Sequence, residues 1–284
     1  MKHMVKLSNG ACVPALGQGT WYLGDAAATY DREVEALRAG IEAGMTLLDT
    51  AENYGDGRSE RLVGEAIRPY DRSSLFLVSK VMPSNAYGTR LMQSLDRSLS
   101  HLGTDYLDLY LYHWRGERPL AEMVTAMEEA RAAGKIRAWG VSNLDTADME
   151  ELWAVDGGRN CAVNQVLYHM GSRGIDYSLL PWMREHHVAL MAYCPLAQVG
   201  RLGCDLLGSG VLAEIAAKYG ATPAQIALAW AIRDGNTIAI PRTGRKEHAV
   251  SNAGADALAL TAEDCAAIDG AFPPPTHKEP LHIE

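Results

Sequence analysis

The chain has 284 residues, of which 48% are hydrophobic, and its mean hydropathy is −0.12. A formal net charge of −9 and a pI of about 5.5 argue against nucleic acid or an anionic membrane as the partner. No apolar run reaches the roughly 20 residues that a bilayer requires, and the five scattered cysteines form no C-x-x-C pair. We therefore expect a cytoplasmic, single-domain protein over residues 1–284, with reduced thiols.

Apolar runs alternate with amphipathic segments along the whole chain. An Asn9-Gly10 turn predicts an N-terminal hairpin over 5–13, and 15–19 is the first short strand. The next strands are expected over 46–49, 75–79, 106–112, 136–141, 162–164, 188–192 and 237–240. Helices are expected over 31–43, 59–67, 89–102, 120–133, 145–153, 177–186, 211–219, 223–233, 247–253 and 261–270. The tail from Phe272 onward is expected to be loosely ordered.

The predicted strands are mostly apolar rather than alternating, which is typical of parallel strands covered on both faces. About eight strand–helix units predict an α/β fold, a (β/α)8 TIM barrel with an N-terminal β-hairpin and an extra C-terminal helix. A doubly wound sheet is the alternative, and it would require G-x-G-x-x-G after the first strand. The stretch Gly17–Tyr22 begins in that way but lacks the third glycine.

Polar side chains stand at the carboxyl ends of seven predicted strands. They are Asp49, Lys80, His113, Asn143, Gln165, Tyr193 and Arg242. In a barrel these ends surround one opening, so we expect the functional site there. Metal-dependent barrel hydrolases also use His and Asp at strand ends, but one of each is too few for a two-metal site, and no metal is expected.

Four of the side chains near these ends form a coherent proton-delivery device. The Tyr54 phenol is the natural proton donor, although a free phenol has a pKa of about 10. A neighbouring Lys80 ammonium would stabilise the phenolate and lower that pKa, and Asp49 would keep Lys80 charged. His113 could orient a substrate carbonyl by hydrogen bonding. Carbonyl reduction by this device requires a hydride cofactor, because none of the four is a reductant.

Six segments of the chain resemble the aldo-keto reductases. They are DTAENYG (49–55), LVSK (77–80), DYLDLYLYHW (105–114), GKIRAWGVSN (134–143), NQVLY (164–168) and AYCPLA (192–197). The stretches GQGTWY (17–22) and GSRGI (171–175) are similar to those of the bacterial methylglyoxal-reducing type. This resemblance covers nearly the whole chain. It implies a reductase that converts aldehydes and small dicarbonyls to alcohols with NADPH bound across the strand ends.

The resemblance also assigns roles to individual residues. Tyr54, Lys80, Asp49 and His113 match the catalytic tetrad, and Tyr193 matches the residue that stacks on the nicotinamide. The implied cofactor-binding residues are Gly19, Thr20, Trp21, Asp49, Ser142, Asn143, Gln165, Tyr193, Pro195, Leu196, Ala197, Gln198, Arg242, Thr243, His248 and Asn252. The implied substrate-binding residues are Trp21, Tyr22, Tyr54, Met82, His113 and Trp114.

The adenosine end departs from the pattern of the family. Arg242-Thr243 stands where Lys-Ser is usual, His248 replaces a second phosphate-binding arginine, and Ser251 replaces a frequent glutamate. An arginine can still bind a 2′-phosphate, so NADPH is favoured, and NADH is possible.

The aromatic side chains among the implied substrate-binding residues would form tight walls, which favour a small aldehyde or ketone as the partner. The protein is expected to be a monomer. The second hypothesis is a cofactor-binding sensor or auxiliary barrel with little turnover, since a fold does not determine a function.

Overall fold

The computed structural model describes residues 1–197 and 206–284. The chain opens with a hairpin in which β1 (Met4–Lys6) pairs antiparallel with β2 (Cys12–Pro14). Gly10 adopts φ 89° in its turn, a left-handed conformation that glycine tolerates without steric cost. The hairpin predicted from Asn9-Gly10 is therefore present.

Parallel strands form the centre of the molecule, and in the described ranges there are eight of them. They are β3 (Gln18–Gly19), β4 (Leu47–Asp49), β5 (Phe76–Val81), β6 (Leu107–Tyr112), β7 (Ile136–Ser142), β8 (Val163–Leu167), β9 (Ala189–Tyr193) and β10 (Thr237–Ala239). Each strand pairs with the next along the chain. Parallel bridges from Leu16 to Ala239 and from Gly19 to Arg242 join the first strand to the last. The predicted (β/α)8 barrel is confirmed.

Helices cover the outside of the barrel. They are α1 (Tyr30–Glu42), α2 (Arg58–Ile67), α3 (Gly88–Leu102), α4 (Leu120–Ala132), α5 (Thr146–Trp153), α6 (Leu179–Glu185), α7 (Gly210–Tyr219), α8 (Pro223–Ala231), α9 (Lys246–Ala253) and the extra C-terminal helix α10 (Ala262–Ala271). Asp145, Thr222 and Thr261 each begin a helix with a reciprocal capping box. No helix among the described residues is long and apolar enough to cross a membrane.

Two of the predicted strand ends lie further along the chain than expected. β5 runs through Lys80 to Val81, because Lys80 and Val81 remain in register with Leu111 and Tyr112 of β6. β8 likewise continues past Gln165 to Leu167. Both polar side chains therefore lie inside the barrel mouth rather than on a loop above it.

The C-terminal tail is ordered, which contradicts the sequence prediction. After α10 it crosses the carboxyl ends of the strands, where Lys278 pairs with Asp145. Further on, His282 Nδ1 lies 2.8 Å from Ser172 Oγ, and the Glu284 amide donates to Tyr193 Oη at 3.3 Å. Polar partners on the barrel rim hold the tail in place, although it has no regular secondary structure.

Candidate active site

A cavity of about 470 Å³ opens at the carboxyl ends of the strands. It brings together many of the predicted site residues. Those on its wall are Gly19, Thr20, Trp21, Asp49, Tyr54, His113, Trp114, Ser142, Asn143, Gln165, Tyr193, Pro195, Leu196 and Arg242. Lys80 lies directly beneath the wall, with no exposed surface, and contacts Tyr54.

Other predicted site residues lie off this wall. Tyr22 is half-exposed and stacks on Trp21 at a centroid distance of 4.5 Å, and the Met82 amide donates to Glu52 Oε1 at 2.7 Å. The remaining ones are the buried Ala197 and Asn252, the half-buried Thr243 and the exposed His248. Gln198 lies outside the described residues. Their roles in binding stay predictions.

Lys80 uses all three of its ammonium protons. Nζ donates to Asp49 Oδ2 at 2.7 Å, to the Thr50 carbonyl oxygen at 2.8 Å and to Tyr54 Oη at 3.0 Å. An ammonium group has no acceptor capacity, so the phenol oxygen must accept in the last of these bonds. The Tyr54 hydroxyl proton is therefore left to donate elsewhere, and the cavity lies in front of it.

The pKa of Tyr54 shifts in the opposite direction to the sequence prediction. Burial raises the pKa of Tyr54 well above the ordinary value for a phenol, and the charge of Asp49 raises it further. The sequence predicted that Lys80 would make this phenol unusually acidic. That prediction is wrong, because the burial of Tyr54 outweighs the nearby ammonium group, whose charge Asp49 balances in a fully buried ion pair. The phenol consequently keeps its proton, as a proton donor requires.

Asp49 joins two sides of the barrel. Its Oδ2 accepts from Lys80, and its Oδ1 accepts from Gln165 Nε2 at 2.8 Å. Burial raises the pKa of Asp49 and lowers that of Lys80, while the attraction between the two charges opposes both shifts. The 2.7 Å contact and the hydrogen bond from Gln165 favour the ionised pair.

His113 enters the cavity as a neutral ring. Burial lowers its pKa to about 2, and the charge of Lys80 acts in the same direction. Its ring meets that of Tyr54 edge-on at a centroid distance of 5.7 Å. A neutral imidazole carries one N–H donor and one acceptor, so His113 can donate a hydrogen bond without bringing a second cation beside Lys80.

The buried histidines should make the stability of the protein depend on pH. Burial also lowers the pKa of His169 to about 4, so both rings stay neutral in the folded protein at pH values where unfolded histidine, with a pKa of 6.5, takes up a proton. The unfolded state then binds more protons, and stability is lost as the pH falls from about 6.5 towards 4. Each ring should contribute about 1.4 kcal/mol per pH unit.

Urea unfolding at a series of pH values measures this dependence. His113→Gln should reduce the slope of unfolding free energy against pH by about 1.4 kcal/mol per unit in this window, because glutamine does not titrate. A variant with the same slope as the original protein would show that His113 is not a buried neutral ring.

Amide and hydroxyl groups form the floor of the cavity beside the tetrad. Asn143 has φ 58°, a left-handed conformation that asparagine tolerates, and its Nδ2 donates to the His113 carbonyl oxygen at 3.3 Å. Asn143 Oδ1 accepts from the Tyr193 hydroxyl at 3.0 Å. Ser142 Oγ donates to the Gln165 carbonyl oxygen at 2.9 Å. The hydrogen bond to Asn143 holds the Tyr193 ring in place at the edge of the cavity.

The cavity also includes residues that the sequence did not single out. They are Asn53, Arg115, Cys194, Ile240, Pro241, Ile283 and Glu284. Arg115 follows His113-Trp114 directly, so its position after a strand could have indicated it. Ile283 and Glu284 are at the far end of the tail, and nothing in the local sequence pattern points to a place in the barrel mouth.

Comparisons with known proteins give a consistent result. Residues 15–272 match the family model described as Aldo/keto reductase family. Methylglyoxal reductase YeaE of Escherichia coli (strain K12) is 50% identical over 280 residues, covering 99% of this chain and 98% of that protein. Methylglyoxal reductase DkgB of Escherichia coli O157:H7 is 35% identical over 261 residues, covering 90% and 92%. An aldo/keto reductase from Klebsiella pneumoniae, crystallised with NADP and acetate, has a TM-score of 0.97 at 50% identity, with 100% of both chains covered. The chain therefore belongs to the aldo/keto reductase family.

Proposed function

We propose that this protein is an NADPH-dependent oxidoreductase that reduces aldehydes and small dicarbonyls such as methylglyoxal to alcohols. The observation that carries the proposal is the 3.0 Å contact in which Lys80 donates to Tyr54 and leaves the phenol proton facing the cavity. The names of the relatives, methylglyoxal reductases at 50% and 35% identity, support the substrate class. A sensor with little turnover is not favoured, because the whole proton-delivery device is assembled.

The groups around the cavity fit a reduced nicotinamide cofactor. Ser142, Asn143 and Gln165 offer the amide and hydroxyl groups that a carboxamide requires, and the Tyr193 ring offers a flat face for stacking. At the other end of the cavity, the exposed Arg242 offers a guanidinium for a phosphate. The structural relative bound to NADP supports the same choice of cofactor.

The chemistry divides between the cofactor and the chain. When bound, NADPH supplies a hydride to the carbonyl carbon. Tyr54 Oη donates its proton to the carbonyl oxygen as negative charge develops there, and the phenolate that remains accepts from Lys80. His113 orients the same carbonyl oxygen through its single ring N–H, and Asp49 keeps Lys80 charged throughout.

The walls of the cavity restrict the size of the substrate. Trp21 and Trp114 stand on either side of Tyr54 and His113, with the Trp21 and Tyr54 ring centroids 6.4 Å apart and those of His113 and Trp114 4.8 Å apart. These packed rings form an aromatic wall beside the proton donor, and such a wall favours a short carbonyl compound over a bulky one. We therefore expect methylglyoxal to be reduced with a higher kcat/KM than a steroid ketone.

The test is steady-state oxidation of NADPH and of NADH with methylglyoxal. NADPH should be the better cofactor, and Arg242→Met should lower kcat/KM for NADPH by about 10- to 100-fold, since a charge-assisted hydrogen bond contributes about 1.5–3 kcal/mol. The same change should leave NADH almost unaffected, because NADH has no 2′-phosphate. Equal losses with both cofactors would contradict the role of Arg242, and no turnover of methylglyoxal with either cofactor would contradict the proposed function.

We also propose that residues 1–284 form a single-domain, cytoplasmic monomer. One hydrophobic cluster runs from Val5 in the hairpin to Ile268 in α10, which supports a single domain. Few large apolar side chains are exposed in the described residues, Tyr177 and Val250 among them. Cys12, Cys161, Cys194 and Cys265 are free thiols there, which suits a reducing compartment. Light scattering after size-exclusion chromatography would determine the oligomeric state.

A further inference from the structure

A buried carboxylate lies behind the catalytic lysine, and the chemistry described above does not use it. Glu60 is on α2, and 1% of its surface is exposed. Its Oε1 accepts from Ser79 Oγ at 2.7 Å, and its Oε2 lies 3.0 Å from His101 Nδ1. Most of the other buried positions of α2 are apolar, among them Leu62 and Val63. A charged group in this interface costs free energy that an apolar side chain would not.

Both oxygens of this carboxylate accept hydrogen bonds. His101 Nε2 lies 2.9 Å from Arg61 Nη1. A guanidinium group only donates, so Nε2 must be the acceptor, and the ring proton is on Nδ1. His101 therefore donates to Glu60, as Ser79 does. Each carboxylate oxygen thus has one donor, the pattern expected of a group that only accepts.

Strand β5 separates Glu60 from Lys80 and brings the two side chains to its opposite faces. Ser79 and Lys80 are neighbours on β5, and successive side chains of a strand face opposite sides. Ser79 faces outward to Glu60, whereas Lys80 faces the barrel mouth. Lys80 has no exposed surface and Glu60 has 1%, so solvent screens their two charges weakly. Burial lowers the pKa of Lys80, and Glu60 opposes that shift together with Asp49.

We propose that Glu60 is a positioning residue for the carbonyl reduction proposed above. Its negative charge, placed behind β5, holds Lys80 in the ammonium form that donates to Tyr54. The other titratable groups around Lys80 are Asp49, Tyr54 and His113 at the barrel mouth. Around Glu60 they are His101, with Arg61 behind it, and Tyr110 of β6. Only Asp49 and Glu60 bring negative charge to Lys80 among these neighbours.

The direct test is an NMR titration of the Lys80 side chain, labelled at Cε, without cofactor or substrate. Glu60→Gln keeps the shape of the side chain and removes its charge. The Lys80 midpoint should fall by about one pH unit, as expected for charges on the two sides of one strand at an effective dielectric constant near 20. Ser79→Ala, which removes the hydrogen bond and keeps the charge, should leave the midpoint near that of the original protein. An unchanged midpoint in Glu60→Gln overturns the proposal.

A second measurement separates this role from a structural one. The alkaline limb of kcat/KM for methylglyoxal against pH should move with the Lys80 midpoint in Glu60→Gln and stay in place in Glu60→Asp. A limb that does not follow the midpoint overturns the positioning role. If Glu60→Gln does not fold, the double variant Glu60→Leu/Ser79→Ala leaves an apolar interface and should show the same fall in the midpoint. The NMR titration needs no turnover, so its result stands even if the protein does not reduce methylglyoxal.

Discussion

Tyr54→Phe should lower kcat for methylglyoxal by about 10²- to 10⁴-fold, the usual contribution of a general acid. The change removes one hydroxyl group and keeps the ring that packs between Trp21 and His113. Binding of NADPH should be nearly unchanged, because the cofactor groups on the cavity floor stay in place. Stopped-flow measurement of a single turnover would report the chemical step, and quenching of tryptophan fluorescence would report binding.

Tyr177→Phe is a matched control for this experiment. Tyr177 is half-exposed and outside the cavity, so loss of its hydroxyl should leave kcat at the original level. If Tyr54→Phe retained more than about a tenth of kcat, another group would have to supply the proton, and the assignment of Tyr54 as the acid would be wrong.

Lys80→Met should remove activity and lower the free energy of unfolding at neutral pH by about 3–5 kcal/mol. The change leaves Asp49 buried with only the hydrogen bond from Gln165, and an uncompensated buried charge is strongly destabilising. The penalty should shrink as the pH falls. Burial raises the pKa of Asp49, and in this variant the attraction of Lys80 that opposes the shift is gone, so the folded variant takes up a proton before the unfolded chain does.

The double variant Asp49→Asn/Lys80→Met separates stability from chemistry. It has neither charge, so it should recover most of the unfolding free energy that Lys80→Met loses, while its activity stays absent. Urea unfolding followed by tryptophan fluorescence measures both variants under the same conditions. A double variant no more stable than Lys80→Met alone would show that Asp49 and Lys80 do not act as an ion pair.

Much of the fold could be predicted because its local signals agree with its tertiary structure. The sequence of β9, for example, is apolar at every position and buried at the first four, and such a run indicates a parallel sheet. The caps at Thr222 and Thr261 are likewise local patterns. The tetrad could be placed because its members follow or end such strands, and parallel strands bring their carboxyl ends to one opening.

Other features depend on contacts that a sequence pattern does not carry. The tail after α10 has no periodicity, and its order comes from partners such as Ser172 that are about a hundred positions away. The pKa of Tyr54 is raised because its burial outweighs the effect of the neighbouring ammonium group. That outcome depends on the folded structure, in which Asp49 is paired with Lys80. The sequence also did not predict that β8 continues past Gln165. The strand is longer than expected because Val166 and Leu167 pair with β9.

The hydrogen bond between Gln165 and Asp49 joins residues 116 positions apart in the chain. The site is therefore assembled from both halves of the molecule, and neither half contains it. During refolding, recovery of the helical circular dichroism signal reports local order. Recovery of turnover reports that the barrel has closed. Activity therefore reports completed folding in this enzyme, which would not hold for a catalyst whose site lies on a single loop.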